Sequence, residues 1–449
     1  MDLKKNNEIQ TYINDVCAQV KNKRVHKEII AELNAHLEEK ANEYLKGGKS
    51  ENEALKEAIN EMGSSKHVGD ELNEIHKCNP EWSIIVMSIT LVLLSIGVIT
   101  LFQINGNLYR IFRSSLILDR SILWGTIGLV ALVVGCFIDY RKIKIYSKYI
   151  YIVGIVLMSC TVFSFFDGFI SGHGQVLQIG GFSINTAYFG PIIFIVALAG
   201  IYDKYDWNNR NNMIKGLLLG IVPLLLVAMA NINILGYFIM YGVSLNLLVY
   251  MSKANKKILG LFAAIEILIL FLTRVGFESV SGFINRWNDI NDSGYVYNQL
   301  KIMRDSSVLI GRGVNFDLNT LPEFYNDVIF SSIVYSFGWV AGAIVVILLA
   351  TLLIRIIKVA ISVKNSYGKS LVLGLTNILG IQFVWNILFN LGLAVGGVSL
   401  PFISYSGTSI IINMFIVGIV INVYKGRSIS KVELIKEFHY KCIILITKK

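Results

Sequence analysis

The chain has 449 residues, of which 54% are hydrophobic, 16% are charged and five are proline, and its mean hydropathy is +0.58. A soluble domain carries roughly 25% charged residues, so a nucleic-acid binder, a disordered scaffold and a cytosolic enzyme are excluded as first readings, and most of the chain is expected in lipid. The net charge of +10 divides unevenly, since residues 1–80 hold 12 Lys/Arg and 15 Asp/Glu for −3 and the rest of the chain carries +13; positive charge of that kind belongs to membrane loops, where it sets orientation.

Taken in chain order, residues 1–80 read as a small cytoplasmic helical module. His26, Ile29, Ile30, Leu33, Leu37, Ala41 and Tyr44 recur at three- and four-residue spacing, which puts them on one helix face. Gly47-Gly48 ends that helix, and Ser50 with Glu53 forms a capping-box pattern that starts another, carrying Leu55, Ala58, Ile59 and Met62 until Gly63 closes it. Helices this short must pack on each other or on a partner, and the acidic balance suggests a docking or regulatory unit. The polar first 80 residues lack the apolar stretch of a cleavable signal, so insertion is expected to rely on internal spans. Cys17, Cys78, Cys136, Cys160 and Cys442 show no CxxC or Cys/His spacing and are read as free thiols, with neither a disulfide framework nor a zinc site.

From Trp82 onward the pattern is an all-α, polytopic membrane domain over residues 81–425. Apolar runs long enough for a hydrocarbon core of ~30 Å fall near 83–103, 121–138, 148–167, 188–203, 214–231, 233–250, 257–273, 328–356, 370–392 and 407–424, about ten helices. Arg141, Lys142, Lys144 and Lys148, then Lys204, Arg210 and Lys215, then Lys253, Lys256 and Lys257, then Arg355, Lys358, Lys364 and Lys369, all fall on one side. That side is cytoplasmic by the positive-inside rule, which leaves both termini inside and a 274–327 loop outside. A basic tail over 426–449 follows, whose Ile443–Ile446 run suggests a helix on the inner leaflet.

A polar outer loop of this length in a compact membrane protein is usually functional. It contains Arg286-Trp287-Asn288-Asp289-Ile290-Asn291-Asp292-Ser293-Gly294-Tyr295, then Gln299, Lys301, Arg304, Gly311-Arg312-Gly313, Leu321-Pro322-Glu323 and Asp327. Carboxylates beside basic residues at a membrane face could accept a sugar hydroxyl proton while the cations hold a diphosphate leaving group. On composition alone, a solvated loop with charges kept for solubility is the competing reading.

A second segment, Gly396-Gly397-Val398-Ser399-Leu400-Pro401-Phe402-Ile403-Ser404-Tyr405-Ser406-Gly407-Thr408-Ser409, closely resembles the C-terminal signature G-x-x-L-P-F-x-S-Y-G-G-S-S of the FtsW/RodA/SpoVE (SEDS) family. With that family in view, Phe283, Asn285, Asp289, Gly294, Tyr295, Gln299, Gly311, Gly313, Leu321, Pro322, Glu323 and Asp327 match its outer-loop motif. Arg120 to Trp124 resembles its second span, and Gln382 and Asn386 its ninth. The resemblance covers roughly residues 83–425. It implies an inverting glycosyltransferase of the bacterial cell membrane that polymerises glycan strands of peptidoglycan from lipid II, in cell-wall synthesis for elongation, division or sporulation, beside a class B penicillin-binding transpeptidase. Asp289 would be the catalytic base. Arg286, Tyr295, Gln299, Arg304, Arg312, Glu323, Asp327, Gln382, Ser404 and Tyr405 would surround the substrate. No cofactor is implied, a divalent cation is left open, and the partners are lipids and the transpeptidase, with no nucleic acid.

Several family positions differ. Its Arg-Trp and Q-P-S-E elements read here as Gln175-Val176 and Asn185-Thr186-Ala187-Tyr188, a usual Lys falls on Pro191, Arg286 and Ile290 replace the prolines flanking the acidic position, and Tyr335-Ser336 replaces a Glu pair. Loss of an outer-face Arg removes a charge-assisted contact of ~1.5–3 kcal/mol, which Arg286 could replace. Two alternatives stay open: a transporter of the lipid-linked precursor, an activity the resemblance also implies, and a catalytically weakened scaffold for the transpeptidase, which the lost Arg-Trp element keeps in play. The charge pattern makes one prediction on topology. In a background without the five native cysteines, an impermeant thiol reagent should label a cysteine introduced at Asn315 in intact cells and spare one introduced at Lys256; the reverse pattern would overturn the orientation.

Overall fold

The computed structural model describes residues 7–21, 23, 26–75, 81–104, 115–167, 176–179, 182–229, 235–273, 294–311 and 325–426. The chain divides into two compact units: residues 1–80 with 363–365 and 425–449, and residues 81–362 with 366–424.

The first unit contains α1 (Asn7–Gln19), α2 (His26–Lys46), α3 (Glu51–Met62) and α4 (Ser65–Ile75). Both helices expected from periodicity are present, and α1 packs on α4 while α2 packs on α3. Their shared core holds Ile9, Ile13, Val16, Ile29, Leu33, Leu37, Ala41, Leu55, Ala58 and Leu72. Gly48 and Gly63 sit at φ +86° and +85°, positive values that glycine adopts readily where a helix ends. The Glu53 carboxylate accepts from both the Ser50 N–H at 3.2 Å and the Ser50 hydroxyl at 2.7 Å, which holds it below the ordinary carboxylate range. Burial works to raise the Glu61 carboxyl, but hydrogen bonds from Lys40 and Tyr44 outweigh it and bring the group below its usual value.

The second unit is a bundle of long apolar helices. In order they are α5 (Trp82–Ile104), α6 (Ser115–Phe137), the short α7 (Tyr140–Ile145), α8 (Ser147–Asp167), α9 (Thr186–Ile201), α10 (Arg210–Met229), α11 (Leu235–Met251) and α12 (Lys256–Leu272). After the loop helix α13 (Tyr295–Ser306) come α14 (Ile329–Phe337), α15 (Trp339–Ser362), α16 (Ser366–Asn390) and α17 (Gly407–Lys425). Six are long and apolar enough to cross a membrane: α5, α6, α10, α15, α16 and α17. Segments of α8, α9 and α11 are apolar but shorter, and α12 spans 17 residues with Glu266 inside it, where Asn246 Nδ2 donates to its carboxylate at 2.7 Å. Among the described residues, apolar helices thus lie at each of the ten positions where spans are expected, as in a multi-pass membrane protein, and the eighth position holds two of them.

Between α8 and α9 an antiparallel hairpin pairs β1 (Val176–Ile179) with β2 (Phe182–Asn185), Val176 opposite Asn185. It is a small addition to the otherwise helical architecture of the described residues.

Packing sorts these helices by depth. Leu93 on α5, Val130 on α6, Phe271 on α12 and Ile347 on α15 are exposed, as apolar residues facing lipid would be. By contrast α17 buries 13 residues, including Asn413 and Asn422. It reaches the centre because it touches α6 backbone to backbone: a Cβ on Gly418 would meet the Leu132 carbonyl oxygen and lie 2.9 Å from Gly135 Cα. Small residues at such a crossing replace the hydrophobic driving force that lipid removes.

The expected eighth span, 328–356, departs from a single helix. It is broken into α14 and α15 at Gly338, whose φ is +89°. The groups released by the break are paired from outside the helix: Gly311 N–H donates to Phe337 O at 3.0 Å, Trp339 N–H to Val308 O at 3.1 Å and Val340 N–H to Leu309 O at 3.2 Å. A Cβ on Gly311 would strike Ser336 O, so glycine is what admits this close strand-like contact. Hydropathy alone could not show the break, because both halves are apolar.

The tight crossing predicts that Gly418→Ala lowers the stability of the purified protein by ~1–3 kcal/mol, the usual range for overpacking. Gly260→Ala, where a Cβ meets nothing within 4 Å, should be neutral or gain up to about 1 kcal/mol in helix propensity. Thermal unfolding in detergent measures both.

Candidate functional site

The 391–406 segment joins α16 to α17 through irregular backbone at one end of the bundle. Gly392 and Gly396 take φ values of +75° and +78°, and the buried Phe402 takes +64°. Backbone of this kind survives near membrane depth only where protein groups satisfy it, and α16 supplies most of them. Gln382, Asn386 and Asn390 are spaced by four residues and share one buried face.

Each member holds a different part of this end of the bundle. Gln382 Nε2 donates to Ser399 O at 2.8 Å, and its Oε1 accepts from Tyr188 on α9 at 3.2 Å. The same tyrosine hydroxyl donates to Asn413 Oδ1, and Asn413 Nδ2 donates to Ser409 Oγ at 3.2 Å. Asn386 Nδ2 donates to Val398 O at 2.6 Å and to Asp327 O at 2.9 Å. Asn390 Nδ2 donates to the same Asp327 carbonyl at 2.9 Å, and Asn390 Oδ1 accepts from Ser331 N–H at 3.0 Å. The end of the long loop, the start of α14 and the signature loop are thus fastened to one helix.

Further bonds tighten the frame. Ser404 Oγ donates to Asn326 O at 2.7 Å and accepts from Leu400 N–H at 2.6 Å. Tyr405 N–H donates to Tyr325 O at 2.9 Å, and the two rings meet edge-on with centroids 5.6 Å apart. The Asp327 carboxylate lies directly against Gly397, where any Cβ would overlap it. On α13, Tyr297 donates to Ala394 O at 3.4 Å and accepts from Gly396 N–H at 3.3 Å, while Arg304 Nη1 donates to Leu391 O at 3.0 Å.

Of the residues expected around the substrate, Asp327, Ser404, Tyr405 and Gln382 come together with α13, which carries Tyr295, Gln299 and Arg304. Gln382 is 0% exposed, so its amide serves the loop's backbone; Ser404 is likewise buried and bonded. Tyr295 and Gln299 are half-buried one turn apart. Burial pushes the Tyr405 phenol above its usual range, and the Arg120 guanidinium beside it works the other way. Arg120 was expected only as part of a matching span, and it is a cation of this end of the bundle. Asn390, Tyr297 and Tyr325 were not expected; for Asn390 the four-residue spacing after Gln382 and Asn386 on an apolar helix is a readable signal.

Asp289, Arg286, Arg312 and Glu323 lie outside the described residues, as do Trp287, His173 and the tail beyond 426. Among the described residues no group of three or more His, Cys, Asp or Glu could hold a metal ion.

Residues 83–429 match the family model FtsW/RodA/SpoVE, described as cell cycle protein. The chain is similar to a probable peptidoglycan glycosyltransferase FtsW of Geobacter sp. strain M18, with 24% identity over 358 residues covering 76% of this chain and 96% of that one. It is also similar to stage V sporulation protein E of Bacillus subtilis strain 168, with 25% identity over 362 residues, 77% of this chain and 97% of the relative. The fold resembles a chain of a solved peptidoglycan synthase complex that coordinates polymerization and crosslinking, with TM-score 0.60 and 17% identity over 78% of this chain and 99% of that one. It also resembles the rod shape determining protein RodA of Thermus thermophilus, with TM-score 0.55 and 17% identity over 78% and 98%.

The bonding pattern predicts that Asn386→Ala, which strips the Val398 carbonyl of its side-chain donor, destabilises by ~1–3 kcal/mol, the penalty for an unsatisfied buried group. Protease cleavage within 391–406 should accelerate in step. Gln299→Ala, at a half-buried position, should stay within about 0.5 kcal/mol.

Proposed function

The chain belongs to the FtsW/RodA/SpoVE family, and on that premise we propose that it is a peptidoglycan glycosyltransferase that extends glycan strands from lipid II at the outer face of the bacterial membrane. What supports the reading most is the family match across residues 83–429, together with the frame of amides that ties the end of the long loop to the signature loop.

In this reading Asp289 is the base. Its carboxylate takes the proton from the acceptor sugar's hydroxyl as that oxygen attacks the anomeric carbon of the donor. The new carbon–oxygen bond forms on the face opposite the departing lipid diphosphate, so the configuration inverts. A carboxylate performs this step best when its basicity is raised toward the working pH by partial removal of water. Arg286, Arg304 and Arg312 are the cations available to hold the diphosphate as charge builds on it, where a bidentate guanidinium suits phosphate geometry. Tyr295, Gln299, Glu323, Asp327 and Tyr405 then border the sugars, while Gln382 and Ser404 act through the backbone they brace.

The expected partner is a class B penicillin-binding transpeptidase that crosslinks the strands. The basic loops support a cytoplasmic position for both termini, and in this reading the acidic module of residues 1–80 serves docking or localisation there. Deleting it should leave polymerisation by the purified protein largely unchanged.

Asp289 and Asp292 separate this reading from a loop whose charges serve solubility. Asp289 lies six residues before Tyr295, the family register for the acidic position, and Asp292 falls where the family has glycine. Asp289→Asn keeps shape but cannot take a proton, and should lower strand formation from lipid II by about 10²–10⁴. Asp292→Asn should cost less than about tenfold, since it loses a charge screened by water. Normal polymerisation by membrane-inserted Asp289→Asn would remove the base assignment and favour the scaffold.

A further inference from the structure

A cavity of about 230 Å³ opens at the other end of the second unit, where α9 and α11 stop and α16 begins. With 25 residues at about 1.5 Å each, α16 sets it some 36 Å from the signature loop. Asp203, Lys204, Ser252, Lys253, Ser366 and Ser370 line it, and none belongs to the site described above.

Three observations ask for a ligand there. Lys204 and Lys253 have φ values of +60° and +62°. After α11, Lys253 N–H bonds to Tyr250 O and Ala254 N–H to Val249 O, the helix-ending turn whose left-handed position is ordinarily glycine. Two neighbouring turns therefore accept a strained lysine where glycine would be easier, and both lysines border one cavity. Strain retained in this way is a mark of functional positions. Second, the Asp203 side chain is only 3% exposed. One of its oxygens pairs with Lys144, while Oδ1 accepts no hydrogen bond among the described residues. Third, Ser366 and Ser370 bring the first turn of α16 to the wall, where the helix dipole favours an anion.

The lysines and helix start ask for negative charge, whereas the buried Asp203 oxygen asks for a hydrogen-bond donor. One molecule answers both. We propose that this cavity binds a phosphate ester bearing a hydroxyl or ammonium group, the chemistry of a glycerophospholipid headgroup, with its phosphate between Lys204, Lys253 and α16 and its donor on Asp203. The site lies apart from the glycosyl-transfer machinery and does not rest on that reading.

The test uses the full chain, purified in detergent and stripped of lipid, with native mass spectrometry reading retained ligand. Phosphatidylglycerol and phosphatidylethanolamine should be retained at least tenfold over phosphatidylcholine, whose headgroup has no N–H or O–H donor. The Lys204→Gly/Lys253→Gly variant should lose roughly ten- to thirtyfold of that retention, yet melt no lower than the parent without lipid, because glycine relaxes both turns. Asp203→Asn should erase the preference over phosphatidylcholine. Competition by soluble sn-glycerol 3-phosphate would identify a free phosphate ester as occupant, and its failure would identify the lipid. Unchanged retention in the double glycine variant, or equal retention of phosphatidylcholine, would overturn the proposal.

Discussion

Backbone that leaves the helix near lipid must find its hydrogen bonds inside the protein, because hydrocarbon offers none. That requirement shapes the end of the bundle where α16 meets α17. The 391–406 loop, the end of the long loop and the break at Gly338 all expose peptide groups that a continuous helix would have paired. Side-chain amides on α16 and the 308–311 segment supply the missing partners. Leaving a single such group unpaired costs about 1–3 kcal/mol.

The same constraint explains why the central helices carry polar residues. Gln382, Asn386, Asn390 and Asn413 would be expensive on a lipid-facing helix. Their burial between α9, α16 and α17 turns them into a connected network in which Tyr188 bridges two helices. Low dielectric strengthens each bond and raises the cost of losing one, so the loops fastened to α16 inherit the rigidity of the bundle. The proposed base and cations depend on such rigidity, because misplacement by ~1 Å can cost about a hundredfold in rate.

The two ends of the bundle use charge differently. At the end that carries the 391–406 loop, cations such as Arg304 and Arg120 sit among carbonyls and phenols, with amides as the main fasteners. At the other end, Lys144 pairs with Asp203 and two strained lysines border a cavity. An excess of basic side chains there satisfies orientation, and their placement in left-handed turns is an additional choice that orientation does not require.

Much of this was legible in the residues. Ten spans follow from hydropathy, and the module's two middle helices follow from periodicity and from the glycines that end them. The signature loop and the outer motif carry the family by themselves, since their order and spacing survive where overall identity is low. What the sequence could not disclose depends on contacts between distant residues. The break at Gly338 exists because residues 308–311 supply its partners. Gln382 belongs to the frame because Ser399 and Tyr188 surround it. Lys204 and Lys253 line one cavity only because α9 and α11 end side by side. Hydrophobic period records which face of a helix is buried; which neighbour it is buried against is decided when the chain folds.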